Sequence, residues 1–230
     1  MATNKEKYFN FPIQLLEGFI YNDNQILDNI VDFAVYTHYL NLEFGDENER
    51  IVESARFFGI SLGNKERTLE RGQMLVDSIS SNSPLVGINL SIFFDYYKND
   101  KTEFEKVTLL GFIAIKSILQ KKSYCKITNN FWLSRMDGKV KSIKEKYELS
   151  EPIKKYAVHY QLRKIKAELE RNWKLKTVTG RGFSVSFKMS IEALTYEVLK
   201  KRKKYKDAEI KKAKDKAKSD ALRRLYGTQP

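Results

Sequence analysis

LKTVTGRGFSVSFKM, residues 175–189, is the stretch that decides the reading of this chain. Leu175 to Thr179 is β-like, Gly180–Arg181–Gly182 makes a tight turn, and Phe183, Val185, Phe187 and Met189 then alternate with Ser184, Ser186 and Lys188. Strict alternation after a tight turn predicts a β-hairpin with one apolar face. On either side the period is helical. Ser150 is placed to cap a helix, with Glu151 and Pro152 in its first turn. That helix runs to about Trp173 with Val158, Leu162, Ile165 and Leu169 inward. After the hairpin, Ser190 and Glu192 open a long helical segment to about Tyr226.

Upstream, Thr102 and Glu105 have capping-box spacing, which starts a helix to about Leu119. Phe104, Val107, Leu110, Ile113, Ala114 and Ile118 form its inward side. A short β-like piece, Tyr124 to Ile127, follows. Thr128 then caps a helix over 129–136, closed at Asp137–Gly138, and a basic linker of residues 139–149 leads to Ser150. The order helix, short strand, helix, linker, helix, hairpin resembles a winged helix-turn-helix domain over about residues 102–190. The resemblance is one of element order and charge, and no specific family is identified by a motif. It implies that the third helix enters a DNA major groove, with Arg163 and His159 nearest the base edges. Lys154 and Lys155 would meet the phosphate backbone, and Arg181 at the hairpin tip would reach a minor groove. On that third helix, Lys155, His159, Arg163 and Lys166 are spaced by 4, 4 and 3 and share one stripe beside the apolar one.

The first hundred residues read as helical. Ile26, Ile30, Phe33, Ala34 and Thr37 mark an amphipathic helix ended by Gly45. Ile51, Ala55 and Phe58 mark a second, ended near Gly59 or Gly63. Leu69, Gly72, Leu75, Val76 and Ile79 mark a third. Residues 78–87 read as a connector, and a short helix covers 88–97. The fold expectation is thus mostly α with a small β-hairpin: an acidic helical unit (1–99), a winged-helix-like basic unit (100–190) and a basic C-terminal helical arm (191–230).

Charge separates these parts. Residues 1–100 hold 8 Lys+Arg and 15 Asp+Glu, net −7; residues 101–230 hold 34 and 14, net +20. A basic half attracts polyanions through its long-range field. The arm, residues 200–224, carries 13 basic and 4 acidic residues, beginning Lys200–Lys201–Arg202–Lys203–Lys204. It reads as a phosphate-gripping segment whose dense like charge opposes its own helicity. The acidic unit would repel DNA and points to protein contact or self-association, although its dense aromatics are those of an ordinary core.

Other chemistry finds little support. The single cysteine, Cys125, excludes a disulfide framework, and His38 and His159 are too far apart in sequence for a local metal motif. No GxxxxGK[ST], HExxH or GxSxG occurs. The segment His159–Tyr160–Gln161–Leu162–Arg163 loosely resembles the His/Arg pair of tyrosine recombinases, at wider spacing, and the upstream arginine and downstream tyrosine have no assigned counterpart. The longest nearly apolar run, 107–115, is far short of a membrane span, and the N-terminus lacks an apolar leader, so an intracellular, reducing, cytoplasmic setting is expected. The sequence therefore leads to a non-catalytic nucleic-acid-binding protein without cofactor, with duplex DNA as partner. Replication initiation or transcriptional regulation of a mobile element fits that resemblance. A scaffold subunit that docks RNA or an acidic partner, and less so a recombinase or nuclease, are the alternatives.

Overall fold

A computed structural model describes residues 6–180 and 182–227. Strand β1 (Tyr8–Pro12) leads through a 3-10 turn into helix α1 (Asp23–Leu40). Helices α2 (Glu47–Phe58) and α3 (Lys65–Ser78) follow, then β2 (Leu85–Asn89) and α4 (Leu90–Lys98). The second half contains α5 (Glu103–Leu119), β3 (Cys125–Ile127), α6 (Asn129–Met136), α7 (Glu151–Lys154), α8 (His159–Asn172), β4 (Lys176–Gly180), β5 (Gly182–Ser186) and α9 (Ile191–Tyr226). Mostly helical architecture with a hairpin and a long final helix is as expected.

The local rules hold at several caps. Thr102 and Glu105 close a reciprocal capping box on α5, and Thr128 accepts from the Phe131 amide at the start of α6. Gly59 ends α2 with φ +67°, the left-handed conformation that a Cβ disfavours. Gly45 does not end α1. The helix stops earlier, at Leu40, because the Asn41 side chain donates to the Thr37 carbonyl at 2.8 Å and so satisfies a terminal acceptor.

Two further expectations are corrected. The first hundred residues are not wholly helical: β1 and β2 pair antiparallel, Tyr8 opposite Asn89 and Pro12 opposite Leu85, so the end of the supposed connector is a strand. Phe9 and Phe11 of β1 are fully buried, and Phe9 stacks on Phe58 at 4.7 Å. The third helix of the basic half is also broken. It divides into α7 and α8 at residues 155–158, where Val158 is extended (ψ 148°) and exposed as the N-cap of α8; at the start of α7 the Ser150 hydroxyl donates to Asp137 and makes no cap. The intervening turn buries Tyr156 and Ala157, holding Tyr156 by its hydroxyl to Glu103 Oε1 at 3.0 Å and the Ala157 carbonyl by Lys146 at 2.7 Å.

In the three-stranded sheet the order is β3-β5-β4, all antiparallel. The hairpin register runs from Lys176 opposite Ser186 to Gly180 opposite Gly182, leaving one residue at the turn. Residues 183–186 are buried on both faces of the sheet. Phe183 meets Trp132 edge-on at 5.5 Å on the core side, and α9 packs over β4 and β5 from the other, burying Leu194 and Val198.

Buried side chains on both sides of residue 100 form one contiguous cluster, from Phe9 through α5 to Val185. Lys116 of α5 reaches across to the Gly87 carbonyl of β2 at 3.0 Å, and Lys106 pairs with Asp23 at 2.7 Å. At the centre of the basic half, Trp132 is fully buried and donates its indole N–H to the Gly111 carbonyl at 3.0 Å. Gly111 is required by close approach: a Cβ there would stand 3.1 Å from Ile165 and 3.2 Å from Trp132. Trp132→Ala is expected to destabilise the chain by about 3–5 kcal/mol, read as a lower urea midpoint at unchanged m-value. A loss below about 1 kcal/mol would show that the junction of α5, α6 and α8 does not depend on the indole.

Candidate nucleic-acid interface

Leu162, Ile165 and Leu169 pack α8 inward, as its apolar spacing requires. The opposite face therefore carries Tyr160, Arg163, Lys164, Ala167 and Arg171, all exposed. Tyr160 is 68% exposed, and the Lys164 ammonium lies between two rings, 5.3 Å from the centroid of Phe104 and 5.8 Å from that of Tyr160. Arg171 leans 3.4 Å from Glu168. Among the described residues, no side chain or carbonyl is hydrogen-bonded or ion-paired to Arg163, so its five donors face outward. Lys164 and Arg171 are the residues that the stripe of four basic positions missed. Projection of the helix from its apolar face finds both.

The remaining predicted residues are distributed unevenly. The break before α8 removes Lys155 from its stripe and separates Lys154 from the helix. Lys154 is half-buried and paired with Glu151 at 2.5 Å, while Lys155 lies 3.6 Å from Glu103. His159 is exposed at the first position of α8. Arg181 lies outside the described residues.

Lys166 points along the flank of α8 rather than outward. Its ammonium stands 3.5 Å from the centroid of the Phe183 ring and donates to Asn129 Oδ1 at 3.2 Å, tying α8 to the hairpin and to α6. Burial pushes its pKa down to about 8, against a smaller opposing pull from Glu170.

Helix α9 runs back along the hairpin from its base. Five strand residues and the eleven steps from Ile191 to Arg202 both span about 17 Å, so Arg202 arrives at the tip, where it donates to the Thr179 carbonyl at 2.8 Å. Lys201 covers the Tyr124 ring at 4.4 Å, and the Tyr124 hydroxyl beside it raises its pKa. Lys200 lies 5.9 Å from the Tyr196 ring, and Lys203 and Lys204 are exposed. From Lys203 onward 24 helical residues continue past the tip, about 36 Å, with no buried side chain among those described. The arm is helical as far as Tyr226, although its like charges oppose this. Alanine and lysine propensity and acid–lysine pairs such as Asp207 with Lys211 favour it.

No family model, curated protein or solved structure matches this chain. Among the described residues, no group of three or more His, Cys, Asp or Glu side chains is gathered as a metal site, and no helix is long and apolar enough to cross a membrane. Cys125 is a free, half-buried thiol on β3 whose pKa burial pushes up to about 11.

Lys166 gives a direct test of this packing. Its ammonium should titrate near pH 8, followed by its side-chain carbon shift. The unfolded chain then binds more protons than the folded one between about pH 8 and the ordinary lysine value of about 10.4, so stability should rise through that window relative to Lys166→Met. A Lys166 titration above pH 10 would contradict the buried placement.

Proposed function

We propose that this protein binds duplex DNA without catalysis, with α8 in the major groove, the β4–β5 hairpin beside it and α9 along the phosphates. The element order α5, β3, α6, α8, β4, β5, with sheet order β3-β5-β4, supports the winged helix-turn-helix reading. Residues 137–158 are then a long insertion before the recognition helix. The observation that carries the proposal is the arm. Beyond the hairpin tip no side chain among the described residues is buried, yet the arm holds ten basic and four acidic residues between Lys203 and Arg224. A segment that adds no core leaves its side chains free for a partner, and its surplus charge favours a polyanion.

The roles divide by geometry. Arg163 has an unengaged guanidinium on the outward face, and a guanidinium fork matches the O6 and N7 acceptors of guanine. Lys164, Arg171, Lys200, Lys203 and Lys204 suit phosphates, which fix position without reading sequence. Lys166 holds the recognition helix against the hairpin, so its contribution is orientation.

Fluorescence anisotropy with labelled duplexes, after selection of bound sequences from a random pool, tests the proposal. About six phosphate contacts would weaken binding on the order of a thousandfold between 50 and 200 mM salt. Arg163→Ala should weaken the selected duplex by roughly tenfold or more and random duplexes much less. Removal of residues 207–230 should weaken both alike and lower the log–log salt slope by about 3. Equal losses from the two changes on both duplexes would remove base reading from Arg163. No binding to any duplex at about 50 mM salt would end the proposal.

A further inference from the structure

Between the outer face of the hairpin and α9 lies a groove of about 590 Å³. Its wall carries Lys126 of β3 and Lys201, Arg202 and Lys206 of α9, against the one carboxylate of Glu209. Tyr124 and Tyr205 contribute two rings. Tyr124 is half-buried under the Lys201 ammonium, whereas Tyr205 is 71% exposed. Gly180 and Gly182 also line the groove, and the Arg202 guanidinium packs into the space that a Cβ on Gly180 would take. The volume lies within the range of sites that enclose a small organic group.

We propose that this groove seats a nucleotide of single-stranded nucleic acid, its base stacked on Tyr205 and its flanking phosphates held by Lys126, Lys201 and Lys206. This rests on the nucleic-acid reading above but uses a different face, since the outward stripe of α8 lies on the other side of the hairpin sheet from α9. An isolated base has an open π-face for a tyrosine, whereas a paired base is stacked within its duplex, so ring and cations together select an unpaired strand. Two of the positive groups in the groove are anchored, Arg202 to the Thr179 carbonyl and Lys201 to the Tyr124 ring, so Lys201 loses little side-chain freedom when a phosphate arrives.

The test is anisotropy of the full chain with a labelled 20-nucleotide oligo(dT) and with duplex DNA of the same length. Tyr205→Ala should weaken oligo(dT) by about tenfold and duplex less than about twofold, and Tyr205→Phe, which keeps the ring, should restore oligo(dT) binding to within about twofold. Lys126→Gln should weaken oligo(dT) further and flatten its salt slope by about 0.7. Duplex binding with no measurable oligo(dT) binding overturns this inference alone, as does an equal loss on both ligands from Tyr205→Ala. Failure of the wild-type chain to bind either ligand overturns the duplex reading as well.

Discussion

The basic half is organised by one buried contact, the Trp132 indole against the Gly111 backbone. A large side chain set on a residue without one brings α5 and α6 within van der Waals reach. The indole N–H finds its only affordable partner in a helical carbonyl, since a buried donor left unpaired is costly. Ile165 and Leu169 of α8 close on the same glycine, and Phe183 of the hairpin meets the far edge of the ring. The direction of the outward stripe of α8 and the height of the hairpin beside it both follow from that junction. Phe112, Trp173 and Phe187 extend it, at 4.1 and 5.2 Å from ring to ring, to the start of the hairpin and its exit toward α9.

Electrostatics adds a division of labour among the cations. Those that touch rings or carbonyls, Lys166, Lys201 and Arg202, are held in place and define surfaces. Those along the outer arm have no such anchors and keep their full rotamer freedom. Binding through the first kind loses little entropy and demands shape. Binding through the second is diffuse and tolerant. On the proposed reading, the same chain thus has one rigid reader and one loose grip.

Much of this was legible in the sequence, and the failures have physical reasons. The hairpin, the caps of α5 and α6 and the long last helix are local features, written by alternation, by Thr–Glu spacing and by alanine–lysine propensity. Strands β1 and β2 were missed because each is short and their partners stand about eighty residues apart, so only tertiary packing of Phe9 and Phe11 makes them strands. The continuous third helix failed at Tyr156, a residue with no breaking character, which is drawn inward by Glu103 from a distant helix. That break took Lys155 out of the stripe and Lys154 off the start of the recognition helix. The half-burial of Lys166 was equally invisible, since nothing in the helical spacing announces that Phe183 arrives beneath it.

The common core of the two halves has one more consequence. The acidic half and the folded body of the basic half are joined by continuous apolar packing rather than by a tether, so the charge difference between them is fixed in the frame of the molecule. Such a body carries a permanent dipole of large magnitude. In the field of a polyanion it experiences torque as well as attraction, and it turns before it touches. On the proposed reading, its acidic end is thereby kept facing away from the nucleic acid, presented to whatever else approaches.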